Sequence, residues 1–211
     1  MKKLKKLIIA CDGESASGKS TAAKLISKKY NLTLVNSGLL YRYASKLSIK
    51  HKPKNLVSFL KKKFDKISYQ KIAKEKLHSE KISIHTAHLA KKKAIREIIN
   101  KFQKNIIRNN KRICVEGRDI ASKILSKSPK YDLAFYFKCN LNTASYRRWI
   151  DIKKQIPLNQ VKKSLKNRTE MDKIRKHSPL IKVKDAILIR TDRLTKKQVL
   201  LKMSKCIEKL H

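Results

Sequence analysis

Secretion, membrane insertion and a metal site built from cysteine or histidine find little support in what this chain contains. Across 211 residues no apolar stretch approaches the length of a bilayer span; the longest runs, Leu7 to Cys11 and Leu133 to Phe137, are strand-sized. The basic opening Met1-Lys2-Lys3-Leu4-Lys5-Lys6 leads into only that short run before Asp12, too brief for a signal peptide, so a cytoplasmic protein is expected. The four cysteines, Cys11, Cys114, Cys139 and Cys206, are scattered and form no CxxC pair. Cys11 and Cys114 lie inside β-rich apolar runs and read as buried small hydrophobes in a reducing compartment. His85 and His88 suit one helical face, but no third ligand stands near them, so no metal site is expected there. No internal repeat and no linker rich in Gly, Ser or Pro is found.

Acidic residues are also scarce: 15 against 55 Lys and Arg, a formal net charge of +40. The excess is carried by 44 lysines and only 11 arginines. Clustered cations attract polynucleotides by releasing counterions from the phosphate backbone. Here the lysines are spread along the whole chain, at 61–63, 91–93, 153–154 and 196–197, and aromatics make up only 6%. That pattern reads as lysine filling solvated faces, with nucleic acid a partner only through non-specific charge. A hydrophobic content of 41% still allows a sizeable core, and the length suits a single domain.

Leu7 to Cys11, Leu32 to Val35, Arg112 to Val115, Leu133 to Phe137 and Ala186 to Ile189 read as strands. Between them lie helical patterns. Ala22, Leu25, Ile26 and Tyr30 mark the first, and Tyr41 to about Phe64 the second. Ala94, Ile95, Ile98, Ile99, Phe102 and Ile106 stripe a third, and further helices run from about Asn142 and from Leu158 to about Arg175. Val199, Leu200, Met203, Ile207 and Leu210 stripe the last helix, while Lys81 to Ile84 alternates weakly like a strand. Strands that are continuous apolar runs and alternate with helices indicate an α/β fold, a parallel sheet covered on both faces.

Gly13-Glu14-Ser15-Ala16-Ser17-Gly18-Lys19-Ser20 matches the phosphate-binding loop G-x-x-x-x-G-K-[ST], and Thr21 follows it. It follows a strand and opens a helix, the context that gives the pattern meaning. Its glycines let backbone N–H groups curl around a phosphate, and the helix N-terminus adds positive potential there. Lys19 is expected on the β- and γ-phosphates of a nucleoside triphosphate, and the Ser20 hydroxyl on Mg²⁺. Asn36 to Arg42 and Glu116 to Asp119 sit at the ends of two further strands, where open α/β sheets bind ligands. Arg168, Asp172 and Arg175 are spaced to share one helical face. A surface ion-pair ladder explains them less well, because that helix otherwise uses lysine, and a guanidinium offers phosphates and bases a bidentate fork.

The chain resembles the bacterial cytidylate kinase family from Leu7 to about Val199. The resemblance runs through Asp12 to Thr21, Ser37-Gly38-x-x-Tyr41-Arg42, Gly117-Arg118-Asp119-Ile120, Arg147-Arg148, and Arg168-x-x-x-Asp172-x-x-Arg175. It continues through Ser178-Pro179-Leu180 and Asp185-Ala186. It implies a P-loop kinase fold with a monophosphate-binding insert at about 43–105 and a lid at about 149–160. It implies transfer of a phosphoryl group from ATP, with Mg²⁺, to CMP or dCMP; a monomer is expected. By the same resemblance Ser37, Arg42, Arg96, Arg118, Asp119, Arg168, Asp172 and Arg175 line the acceptor site. Arg147 and Arg148 stand at the start of the lid and, with Lys19 and Arg168, act on the transferred group. Seven of the 11 arginines fall on these positions.

Some residues depart from the family pattern. Asn36 and Thr169 each replace an Asp, Glu14 replaces a Pro, and Arg190 replaces an Asp. Ile84-His85-Thr86 stands where the family has Ile-Arg-Thr, and a shortened stretch places Ala87 near a base-contacting serine. These changes bear on base selection and leave Lys19 and Ser20 untouched. Glu116 and Asp119 are the candidates for a second acid that orients the metal. The rival readings are a kinase for another small acceptor, such as UMP, AMP or a metabolite, and a basic nucleic-acid-binding NTPase.

Overall fold

The computed structural model describes residues 5–210. Met1 to Leu4, part of the basic opening considered above, and His211 lie outside them. The chain divides into two compact units: residues up to Leu34 together with those from Lys111 onward, and Val35–Asn110.

The first unit is built on β1 (Leu7–Gly13), β3 (Arg112–Gly117), β4 (Leu133–Lys138) and β5 (Ile187–Arg190), with β2 (Thr33–Asn36) beginning in it. The sheet order is β2-β3-β1-β4-β5. β1 pairs in parallel with β3 on one side and β4 on the other, and β4 pairs in parallel with β5. The central position of β1 explains its sequence: every residue of Leu-Ile-Ile-Ala-Cys-Asp-Gly is buried, so no polar alternation is allowed until Asp12. Helices α1 (Lys19–Tyr30) and α9 (Lys196–Glu208) pack together over one face. Ala22, Ala23 and Ile26 of α1 and Val199, Met203 and Ile207 of α9 join Leu7, Ile9, Phe135 and Phe137 in one core. Thr195 and Gln198 close a capping box at the start of α9. Cys11 and Cys114 are fully buried in this core, as their apolar context predicts. Helices α7 (Leu141–Asp151) and α8 (Leu158–Ile174) pack on each other around Ala144, Val161 and Leu165.

The second unit is helical: α2 (Ser37–His51), α3 (Leu56–Asp65), α4 (Tyr69–Ala73), α5 (Glu80–Leu89) and α6 (Lys93–Arg108). Its core gathers Leu40, Ala44, Leu60, Phe64, Ile72, Leu77, Ile95 and Ile99. The helical pattern from Tyr41 to Phe64 is two helices. Lys52, in the left-handed region at φ 42°, ends α2 ahead of Pro53, and the Asn55 side chain caps α3. Lys81 to Ile84 is not a strand but part of α5. The Ser79 hydroxyl caps the helix by accepting from the Ile82 amide, and Thr86 and Leu89 turn into the core. A four-residue alternation cannot outweigh a cap and a buried stripe.

Among the described residues no helix is long and apolar enough to cross a membrane, and no three His, Cys, Asp or Glu side chains gather as a metal cluster.

Candidate active site

The loop between β1 and α1 is shaped by its glycines. A Cβ on Gly13 would lie 2.9 Å from both the Cβ and the N of Phe137 and would strike the Phe137 carbonyl. No side chain fits where β4 approaches this closely. Gly18 sits at φ 81° as the N-cap of α1, a left-handed conformation that suits glycine. The loop is tied from outside as well. The Thr191 hydroxyl after β5 donates to the Ser17 carbonyl at 3.0 Å, and the Glu14 amide donates to the Phe137 carbonyl at 3.1 Å. The Ser15 amide points to the Thr169 hydroxyl at 3.4 Å, and Glu14 pairs with Lys173 at 2.8 Å. Both Thr169 and Glu14 are departures from the family pattern, and both join the loop to α8.

Lys19 and Ser20 open α1. Lys19 is half-buried, and the removal of water from its ammonium, with the nearby Arg118 and Arg168 charges, lowers its pKa to about 7; Glu116 and Asp172 oppose the shift. A phosphate brought to this point restores the charge. The Ser20 hydroxyl donates to Glu116 Oε2 at 2.6 Å. Of the two acids considered for the metal, Glu116 is therefore the one in contact with Ser20. Asp119 faces elsewhere, toward Arg175.

Arg118, just beyond β3, joins the loop to the end of α8. It donates to the Gly13 carbonyl and, at 3.0 Å, to the Ser15 hydroxyl, while its Nε pairs with Asp172 at 3.0 Å. Asp172 also receives Arg175 at 3.2 Å, and Arg175 reaches Asp119 at 3.5 Å. The Arg175 and Asp119 side chains are only 6% and 5% exposed, so these ions meet out of water. The expectation that Arg168, Asp172 and Arg175 share one helical face needs correction for the third. α8 ends at Ile174, and Arg175 is extended at ψ 135°, held by the Ser178 carbonyl. The turn aims its guanidinium back at Asp172. Arg168 remains on α8, half-buried.

Arg147, in the last turns of α7, donates to the carbonyls of Thr191 and Asp192 at 2.9 and 3.3 Å. Through Thr191 it braces the same loop whose hydroxyl holds Ser17. Arg148 follows it, half-buried. Between α7 and α8 the chain turns through Lys153 and Lys154, both at positive φ, and the Trp149 indole donates to the Ile156 carbonyl at 3.0 Å.

In the second unit Ser37 is buried as the first residue of α2. Asn36, the departure before it, acts as the N-cap, its side chain accepting from the Leu39 amide at 3.2 Å. Arg42 is buried and donates to the Leu77 carbonyl at 3.0 Å and the Ser83 hydroxyl at 2.9 Å. Arg96 is buried, lies over the Tyr41 ring at 5.4 Å and donates to the Ala90 carbonyl.

Asp12 lies in the stretch that carries the resemblance, but the sequence assigns it no role. Asp12, buried at the end of β1, accepts the amides of Ile120 and Ala121 at 2.8 Å each. Burial pushes its carboxyl up to about 7, although these two amides pull the other way. A single aspartate ending an apolar strand carries no sequence signal of such a role.

A family model described as cytidylate kinase matches residues 9–209. The cytidylate kinase of Mesomycoplasma hyopneumoniae strain 7448 is 31% identical over 222 aligned positions, covering 96% of this chain and 94% of that protein. That of Aquifex aeolicus is 31% identical, covering 94% and 95%. The solved structure of shikimate kinase from Bacteroides thetaiotaomicron aligns over 96% of this chain and 98% of that one, with a TM-score of 0.51 at 10% identity. That last likeness concerns the fold alone.

Proposed function

The chain belongs to the cytidylate kinase family, and from that premise we propose that it transfers the γ-phosphoryl group of ATP to CMP or dCMP, giving ADP and CDP or dCDP. The observation that carries this reading is Arg118. One guanidinium touches the phosphate loop at Gly13 and Ser15 and pairs with Asp172, beside Arg175 and Asp119. A donor loop and a desolvated cluster of two arginines and two aspartates are thus contiguous, which suits a phosphate acceptor with a polar base and ribose.

The acceptor phosphate has a second pKa of about 6, so it is already a nucleophile at neutral pH and no general base is needed. The work left to the protein is positioning and neutralisation of charge. Loop amides and Lys19 hold the β- and γ-phosphates. Arg118, Arg168 and Arg175, with Arg147 and Arg148, compensate charge around the transferred group. Asp119 and Asp172 orient these arginines and offer acceptors to the cytosine amino group or the ribose. Ser37, Arg42 and Arg96 of the second unit belong to acceptor binding in this proposal. Residues from about 43 to 105 are the monophosphate-binding insert and from about 149 to 160 the lid that excludes water.

The donor set at Ser20 and Glu116 fits Mg²⁺, which takes hard oxygens and needs few protein ligands when phosphates supply the rest. Ser20 would hold it, with Glu116 orienting. Bound with ATP, the ion supplies Lewis-acid neutralisation of phosphate charge. A cytoplasmic monomer completes the reading. ADP release measured across CMP, dCMP, UMP and AMP tests it: the two cytidylates are expected to be the best acceptors, and a better UMP or AMP overturns the assignment.

A further inference from the structure

The π-helical turn Ile120–Ile124, directly after the Arg118-Asp119 pair, is capped from a distance. An aspartate at an N-cap ordinarily accepts the amides of its own first turn. Asp119 holds that place, yet its side chain makes no capping bond. The amides of Ile120 and Ala121 instead reach the two carboxylate oxygens of Asp12 on β1, at 2.8 Å each and fully buried. With its capping duty taken over, the Asp119 carboxylate is turned to Arg175 at 3.5 Å.

We infer that Asp12 is a positioning residue for the acceptor site: it caps the turn in place of Asp119 and so leaves Asp119 to orient Arg175. Two oxygens for two amides is the whole of the arrangement. An asparagine in its place offers one carbonyl oxygen and sets an NH₂ group against the second amide, so a donor faces a donor. Asp119, which holds the N-cap place, is positioned to take the Ala121 amide instead. Drawing it back to the cap removes it from Arg175. Asp12 also precedes the phosphate loop, but neither bond of its carboxylate goes to the loop. The inference rests on the acceptor role proposed for Asp119 and Arg175, and the expected damage falls on the acceptor rather than on ATP.

The test is Asp12→Asn, alone and combined with Asp119→Asn. In the single variant the KM for CMP is expected to rise about tenfold or more, the loss expected for a hydrogen bond to a charged group. The KM for ATP should stay within about twofold, the scatter of uncoupled sites. In the Asp119→Asn background the same change should add no more than about twofold to the KM for CMP, because Asp12 acts through Asp119. Equal rises for both substrates, or a full effect in that background, would overturn the inference. Amide hydrogen exchange asks the same question without any acceptor. Ile120 and Ala121 should stay protected in Asp119→Asn, stay largely protected in Asp12→Asn where Asp119 takes over the cap, and lose protection when both are changed; loss of protection in Asp119→Asn overturns the inference even if Asp12→Asn proves too unstable to study. A wild-type enzyme that ignores CMP, with this exchange pattern intact, would fail the functional reading and leave the capping role standing.

Discussion

In the proposed function Lys19 concentrates the chemistry of the donor side in one ammonium. Burial and the Arg118 charge hold its pKa at about 7, far below that of a solvated lysine. In the free site the proton is bound below that value and lost as pH rises through it. Triphosphate oxygens return the group to its charged state, so ATP binding at pH 8 should take up close to one proton per site, and well below pH 7 it should take up almost none from this residue. The affinity for ATP should fall as pH rises through 7. Titration calorimetry in two buffers of different ionisation enthalpy measures the uptake; none at pH 8 would contradict the account. Lys19→Ala should abolish transfer with little change in stability, since its neighbours Gly18 and Ser20 are small and exposed. Turnover near the native rate in that variant would remove Lys19 from the mechanism.

At the scale of elements, the end of α8 shows why arginine stands where lysine otherwise fills the chain. Arg118 and Arg175 share the Asp172 carboxylate, and Arg175 also reaches Asp119. A lysine keeps the charge but has no fork. Arg→Lys at 118, 168 or 175 should therefore reduce kcat/KM for CMP by at least about tenfold, from the roughly 1.5–3 kcal/mol of a charged hydrogen bond. Arg108→Lys and Arg193→Lys should be silent, and equal effects in the two groups would refute the distinction. Helix α5 carries the prediction on base choice. By the resemblance Ala87 there lies near the place of a base-contacting serine, and a site with fewer paired groups rejects the wrong base less well. Ala87→Ser should raise the ratio of kcat/KM for CMP over UMP; an unchanged or lower ratio argues against that role.

These elements also show which parts of the site were legible. The phosphate loop was, because its chemistry is local and its strand-loop-helix setting is written in adjacent residues. Arg168 and Asp172 were legible as a helical spacing. Arg175 was found, but a turn rather than the helix presents it, and no spacing rule distinguishes the two. The boundaries inside the second unit were blurred because a run of apolar residues at helical intervals continues past Pro53, and α5 was hidden by a weak alternation. Asp12 lay beyond reach: its partner amide at Ile120 is 108 residues away and belongs to a π-helical turn with no sequence period of its own.

At the scale of the whole molecule, the sheet places β1 between β3 and β4, so the loop after β1 and the Glu116 and Arg118 positions around the end of β3 lie at neighbouring strand ends. The charge of +40 has a different distribution from this chemistry: lysines dominate it and run through every part of the chain, whereas seven of 11 arginines fall on positions that the resemblance gives to nucleotide. A charge without a focused surface gives polynucleotide only a salt-dependent, non-specific hold. The central claim is acceptor choice, and steady-state ADP release with CMP, dCMP, UMP, AMP and a polynucleotide at fixed ionic strength tests it most directly. The account predicts that kcat/KM is greatest for CMP and dCMP and that polynucleotide leaves ATP turnover unchanged. A higher kcat/KM for UMP or AMP, or ATP turnover driven by the polynucleotide, would contradict it.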